Sequence, residues 1–172
     1  VALDPGDGWR EQADTWGALV AEYPEHYAWC TSFDLPQLDN PNYADDVIAA
    51  VERDFDNGAV ACKVWKNIGM DVRDASGAFM MVDDPLLEPI FSALEVHGKP
   101  LLMHIGEPLV CWQSLEEMGP DHPHFPYYST HPEWHMYGKP DVPSHADQIA
   151  ARDRVVERHP KLSIIGAHLG SL

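Results

Sequence analysis

The chain has 172 residues and a mass of 19.3 kDa, which is enough for one domain of ordinary size. Apolar residues make up 45% and charged residues 23% of it, a composition typical of globular proteins. The formal net charge of −17 excludes nucleic acids and anionic membrane surfaces as partners, because both attract basic proteins. No apolar run approaches the ~18 residues of a membrane span. Three widely spaced cysteines predict free thiols in a reducing, cytoplasmic environment.

Helical and strand-like segments alternate along the chain. In chain order they are a helix over residues 9–23, a strand over 27–33, a helix over 44–56, a strand over 60–66, a helix over 84–97 with Asp84 as its N-cap, a strand over 100–105, a helix over 145–159 and a strand over 162–168. This alternation predicts an α/β fold, with a parallel sheet and helices outside it.

Two architectures meet this pattern, a doubly wound open sheet and a (β/α) barrel. The chain has no Gly-rich phosphate loop after any predicted strand, which disfavours a nucleotide-binding version of the open sheet. Apolar runs such as LLM at 101–103 and SIIG at 163–166 predict a sheet that is buried on both faces.

The segment over residues 106–144 interrupts the alternation and shows no strand periodicity. Loops this long inside a compact domain are usually functional lids or disordered. The many aromatic and histidine side chains of this segment argue for order, because aromatic rings order a loop when they are buried. We therefore predict a long active-site loop, in which Trp134 and His135 help to form the wall of a pocket.

Histidine and lysine side chains lie near the carboxyl ends of three predicted strands. Lys63 and Lys66 lie toward the end of the second strand. His104 lies near the end of the third strand, and His168 at the end of the fourth. In parallel α/β folds such side chains converge on one pocket, where two imidazoles would suit a divalent Zn, Mn or Fe ion. A core histidine bonded to a backbone carbonyl is the alternative interpretation of each ring.

The lysines and nearby charged residues leave further alternatives open. Only one of Lys63 and Lys66 can point inward from a regular strand, because successive side chains alternate in facing. An inward lysine could bind an anionic substrate or act as a base, whereas an outward one would extend into solvent. Glu107 is either a partner of the pocket or an exposed loop acid. The charged residues of the helix over 145–159 predict a solvated face.

Four stretches together resemble a known family: ACKVWKNIGM at 61–70, PLLMHIGEP at 100–108, HPEWH at 131–135 and ARDRVVERHPKLSIIGAHLGSL at 151–172. They resemble the metal-dependent hydrolases of the amidohydrolase superfamily, in the branch that also contains aminocarboxymuconate-semialdehyde and resorcylate-type decarboxylases. The resemblance implies a (β/α)8 barrel with a divalent metal at its C-terminal mouth, Zn first and Mn or Fe as alternatives. It further implies that His104 is the histidine ligand of the fifth strand.

The same resemblance implies roles for two more residues. His168 matches the sixth-strand histidine, which is a metal ligand in some branches and a catalytic residue in the decarboxylase branch. Lys63 lies on the fourth strand, where some members carry a metal-bridging carboxylated lysine, so a catalytic role is implied for it.

The chain also departs from the family pattern. No HxH or ExH pair precedes residue 27, and no eighth-strand aspartate follows the last predicted strand. The four predicted strands would therefore be the family's strands three to six. Because a closed barrel needs about 250 residues, we expect residues 1–172 to form a single incomplete barrel domain, an internal piece of a longer protein.

These observations support three functional hypotheses. The first is a metal-dependent hydrolase that acts on a small carboxylated or cyclic substrate through a metal-activated water. In it, Trp134, His135 and Lys66 contact the substrate. A metal-dependent decarboxylase of the same family is the alternative. The third hypothesis is a non-catalytic piece that acts only in binding or assembly, and homo-oligomerisation is compatible with all three.

Overall fold

The computed structural model describes residues 9–33 and 40–171. In chain order its elements are α1 (Trp9–Glu22), β1 (Cys30–Ser32), α2 (Tyr43–Asp56), β2 (Ala61–Val64), α3 (Glu88–His97), β3 (Leu101–Met103), a 3-10 turn (Leu109–Trp112), α4 (Leu115–Met118), α5 (Phe125–Thr130), α6 (His145–Arg158), β4 (Ile164–Gly166) and a final turn, α7 (His168–Ser171). The predicted alternation of strands and helices is confirmed, with strands shorter than their apolar runs.

The described residues form a four-stranded parallel sheet in the order β1-β2-β3-β4. Ser32, Lys63, Leu102 and Ile165 lie side by side across the four strands. Because successive side chains of a strand point to opposite faces, this row occupies one face of the sheet. His104, two residues after Leu102, follows the same alternation. The sequence order of the strands is the order expected of consecutive barrel strands.

Helices cover the opposite face of the sheet. The main apolar core joins strand residues to side chains of α2, α3 and α6, and includes Cys62, Val64, Leu101, Met103, Val47, Val51, Ile90, Leu94, Ala151 and Val155. A doubly wound sheet would carry helices on both faces, whereas a barrel carries them only on its outer face. Within the described ranges the packing is therefore that of a (β/α) barrel segment, and the row through Lys63 and Leu102 faces the barrel interior.

The expectation that the sheet is buried on both faces is wrong for β4. The SIIG run is not buried on both faces, because Ile165 is 52% exposed and Gly166 is exposed. Both neighbours of Leu102 in β3 are buried, as predicted, while Leu102 itself is half-buried. β4 forms an edge of the described sheet, so its inner face has a neighbouring strand on one side only.

Helix α3 begins later than predicted. It starts at Glu88, and Pro89 lies in its first turn, whereas the sequence predicted Asp84 as the N-cap. The Asp84 carboxylate accepts a hydrogen bond from the backbone N–H of Leu86 at 2.9 Å, and the Asp84 carbonyl accepts one from Leu87 at 3.0 Å. Asp84 therefore caps a separate turn that precedes the helix.

The buried carboxylate of Asp54 links helix α1 to the sheet through hydrogen bonds. Asp54 of α2 is 2% exposed and accepts hydrogen bonds from the two terminal guanidinium nitrogens of Arg10, at 2.8 and 2.7 Å. It also accepts one from the hydroxyl of Thr31. A bidentate arginine–carboxylate pair is among the stronger hydrogen-bonded contacts in proteins. The pair therefore joins α1, α2 and β1.

We expect Asp54→Asn to lower the free energy of unfolding by about 1.5–3 kcal/mol, the usual contribution of hydrogen bonds to a charged group. Urea denaturation followed by circular dichroism would measure this loss. Asp56→Asn, at an exposed position of the same helix, is the matched control. Equal free energies of unfolding of the two variants would contradict a stabilising role of the Arg10–Asp54 pair.

Two further expectations concern the whole chain. All three cysteines are free thiols, with Cys62 and Cys111 buried and Cys30 half-buried. Among the helices of residues 9–33 and 40–171, none is both long and apolar enough to cross a membrane. The expected cytoplasmic location stays a prediction.

Candidate functional site

The predicted side chains gather where β2, β3 and β4 end. His104 directly follows β3, and its backbone N–H still bonds to the carbonyl of Val64 at 3.1 Å. Ala167 follows β4, and its N–H bonds to the carbonyl of Met103 at 3.0 Å. These two bonds extend the sheet by one step and bring the chain to His168 beside the end of β3.

The rings of His104 and His168 lie in contact, with centroids 4.6 Å apart and planes inclined by 59°. His104 is half-buried, and within the described residues its buried Nε2 atom has no hydrogen-bond partner. The His168 side chain is exposed. The structure thus brings the two predicted histidines together, although they are far apart in sequence.

A left-handed turn carries His168. Its φ angle is 50°, and the φ angles of Leu169, Gly170 and Ser171 are 56°, 76° and 65°. Non-glycine residues seldom adopt this region, histidine more readily than most. Strained backbone of this kind clusters at functional sites.

Burial, together with the smaller effect of the positive charges of His168, Lys66 and Lys63, lowers the pKa of His104 to about 4. The imidazole is therefore neutral near pH 7. A neutral imidazole is the form that binds a metal ion.

We expect the His104 ring of metal-free protein to take up its proton near pH 4 instead of near 6.5. Between pH 6.5 and pH 4 this histidine is protonated in the unfolded chain but not in the folded chain. Its contribution therefore lowers the free energy of unfolding as the pH falls. Long-range 1H–15N NMR of the ring nitrogens would measure the midpoint. His168→Ala should raise it, because it removes a positive neighbour and exposes the ring, whereas the remote His97→Ala should leave it unchanged. A wild-type midpoint above pH 6 would contradict the expectation.

The histidine pair fits part of a metal site. The buried Nε2 atom of His104 has no hydrogen-bond partner in the part of the chain that the structure describes, and imidazole nitrogens are ligands that zinc accepts. Among the described residues, no group of three or more histidine, cysteine, aspartate or glutamate side chains is arranged to hold a metal ion. The pair could therefore supply two ligands to a metal ion, and other ligands would be needed to complete the site.

The two lysines differ in their surroundings. Lys63 is half-buried on β2, in the interior-facing row. Lys66 lies two residues beyond β2, is 5% exposed, and forms an ion pair with Glu107. Glu107 is itself buried, so its interpretation as an exposed loop acid is wrong.

Aromatic rings enclose the Lys66 ammonium. Its Nζ atom lies 4.3 Å from the ring centre of Trp134 and 3.2 Å from the hydroxyl of Tyr127. Trp134 also contacts Trp65 edge-on, with ring centres 5.2 Å apart. The predicted wall residue Trp134 therefore packs over the end of β2.

His135 is held within the 106–144 segment itself. One ring nitrogen lies 2.8 Å from the carbonyl oxygen of Gln113, and the ring stacks on Tyr128 and Tyr137. Side chains of the segment form a second, small apolar core with Met70 of the loop after β2, which includes Cys111, Met118, Tyr128 and Met136. A substrate contact by His135 stays a prediction.

Three polar side chains on one side of α6, His145, Gln148 and Arg152, were not predicted to support the site. Gln148 is buried and donates to the Gly69 carbonyl at 2.6 Å, while a ring nitrogen of His145 lies 2.8 Å from the Ser171 carbonyl oxygen. Arg152 donates to the carbonyl of Gly170, so it does not belong to the solvated face. The i, i+3, i+7 spacing of the three side chains was the available signal, since it places them on one side of a helix.

Fold and site together define a (β/α) barrel segment with an imidazole pair at the carboxyl ends of its strands. A family model described as amidohydrolase matches residues 3–172, and the chain belongs to the amidohydrolase family. Among curated proteins, none matches this chain.

Solved structures show the same fold. A 2,6-dihydroxybenzoate decarboxylase from Rhizobium is 20% identical, with a TM-score of 0.53 over 90% of this chain and 42% of that one. A 5-carboxyvanillate decarboxylase from Sphingomonas paucimobilis is 17% identical, with a TM-score of 0.50 over 88% of this chain and 38% of that one. The chain thus spans about two fifths of the length of these proteins and represents part of their TIM barrel.

Proposed function

We propose that this chain contributes the metal-binding face of a metal-dependent hydrolase that acts on a small carboxylated or cyclic substrate. The observation that carries the proposal is the contact between His104 and His168 at the strand ends. A divalent ion, zinc or else manganese or iron, would act there as a Lewis acid and lower the pKa of a bound water toward about 7.

Each of the two histidines has a separate role in this proposal. His104 holds the ion through its unpartnered Nε2 atom, in the neutral state that its burial favours. His168 is exposed and lies in ring contact with His104, so it is the group that either completes the ligand pair or accepts and returns a proton at the substrate.

The surrounding side chains suit a small anionic substrate. Lys63 shares the interior face with His104, and its positive charge acts on that ring. Its ammonium group would bind a substrate carboxylate or assist in catalysis. Trp134 and Tyr127 provide an aromatic wall beside the same strand ends, which would exclude water and contact a ring-shaped substrate.

Decarboxylation is the second candidate. It is favoured by the names of the two structures that share the fold, which are decarboxylases of dihydroxybenzoate and carboxyvanillate. In that reaction His168 would deliver a proton to the carbon that loses carbon dioxide.

The test is metal analysis and activity of the protein that contains this chain. We expect stoichiometric divalent metal and activity that is lost on chelation and restored by Zn²⁺ or Mn²⁺. A panel of small amides and lactones, with 2,6-dihydroxybenzoate alongside, separates hydrolysis from decarboxylation. Activity that survives complete metal removal would overturn the proposal, and a protein that neither binds metal nor turns over any substrate would support the binding or assembly role.

A further inference from the structure

The buried ion pair of Lys66 and Glu107 lies next to the histidine site and has no role in the proposed metal chemistry. The side chains of Lys66 and Glu107 are 6% and 11% exposed. Lys66 leaves the end of β2, and Glu107 follows His104 by three residues at the end of β3. The pair therefore joins two neighbouring strand ends at the edge of the sheet where His104 lies.

The same pair reaches the 106–144 segment. The Lys66 ammonium contacts the Tyr127 hydroxyl at 3.2 Å and the face of Trp134, and the second carboxylate oxygen of Glu107 accepts from the Tyr128 hydroxyl at 3.4 Å. Three parts of the chain thus meet at one charge pair: the end of β2, the turn after His104, and the aromatic wall.

Stability alone is a poor explanation for such a pair. Removing two charges from water is costly, and apolar residues of similar volume are often as stabilising as a buried ion pair. A charge pair does, however, fix the relative position of the segments that carry its two ends, because each charge must stay beside its partner. Glu107 is tied to His104 through only Ile105, which is buried, and Gly106.

We propose that Glu107 is a positioning residue of the histidine site, acting through Lys66 to hold the turn after His104 and the wall of Tyr127 and Trp134 in their places. This inference rests on the proposed function, because the site that it positions is the proposed metal site. Partners that hydrogen-bond directly to metal ligands typically contribute 10–100-fold to metal affinity. Glu107 acts on His104 through the intervening backbone, and we expect an effect of the same order.

The experiment uses the protein that contains this chain, because His104 and His168 alone do not complete a metal site among the described residues. It measures Zn²⁺ affinity by isothermal titration calorimetry and stability by urea denaturation. We expect Glu107→Gln to weaken Zn²⁺ binding about 10–100-fold. Asp54→Asn is the matched control, since it breaks a buried carboxylate pair on α1 and α2 and should lower stability without changing Zn²⁺ affinity. His104→Ala serves as the reference for loss of the site.

A double variant, Lys66→Met with Glu107→Met, separates positioning from folding. It leaves no unpaired buried charge, so we expect its stability to return toward that of the wild type. Its Zn²⁺ affinity should remain at least about tenfold below that of the wild type, because the ion pair no longer joins the two strand ends. This variant also gives a result if Glu107→Gln fails to fold.

The outcomes distinguish the inference from the proposed function. Wild-type Zn²⁺ affinity in folded Glu107→Gln, or in the double variant, would overturn the positioning role while leaving the metal site intact. Unchanged Zn²⁺ binding in His104→Ala would overturn the proposed site itself. A shifted ring 15N signal of His104 in metal-free Glu107→Gln would support positioning without reference to activity.

Discussion

Replacing Lys66 with methionine is expected to lower the free energy of unfolding by about 3–5 kcal/mol, the usual effect of removing one partner of a buried ion pair. Glu107 would then keep a charge inside the protein, with the Tyr128 hydroxyl at 3.4 Å as its remaining hydrogen-bond partner among residues 9–33 and 40–171. Methionine keeps the length of the side chain, so packing against Trp134 is largely preserved and the loss reports on the charge.

Urea denaturation at pH 7 would measure this loss. Arg154→Met is the matched control, because Arg154 forms an exposed ion pair with Asp83 at 2.6 Å and exposed pairs contribute little to stability. Equal effects of the two variants would show that the Lys66 charge is solvated, contrary to its burial.

The second large effect is expected for His104→Ala, which should weaken Zn²⁺ binding at least about 100-fold. Indirect supports of metal ligands contribute 10–100-fold, and a ligand itself contributes more. His168→Ala should also weaken binding if His168 is a ligand. It should leave binding nearly unchanged while abolishing activity if His168 only transfers protons.

Calorimetric titration with Zn²⁺ would distinguish these results. His97→Ala is the control, since this exposed histidine pairs with Glu52 at 2.7 Å on the helices and lies away from the strand ends. An equal loss of affinity in His97→Ala and His104→Ala would mean that the calorimeter reports unspecific binding to surface histidines.

Much of the architecture was predictable because it is encoded locally. Apolar periodicity and turn residues located the four strands and the helices α1, α2, α3 and α6, whereas the short helices α4, α5 and α7 were not predicted. The position of His104 and His168 after apolar strands placed them at one edge of a parallel sheet. The start of α3 was predicted wrongly, because Asp84 caps a turn of its own before the helix begins.

The supports of the site were not predictable in the same way. Lys66 and Glu107 are 41 residues apart, and each has an ordinary surface interpretation when read alone. Gln148 and Gly69 are separated by 79 residues, and only the packing of α6 against the loop after β2 brings them together.

The sequence by itself determined the α/β alternation, the strand-end histidines and the motifs of the amidohydrolase family, because these depend on residues near one another in the chain. Only the tertiary structure decided between an open sheet and a barrel segment, since that choice depends on which face of the sheet the helices cover. It also decided that Glu107 is buried and that Arg152 faces the turn of His168. Burial and charge pairing are properties of packed surfaces, and distant segments create those surfaces only when they fold together.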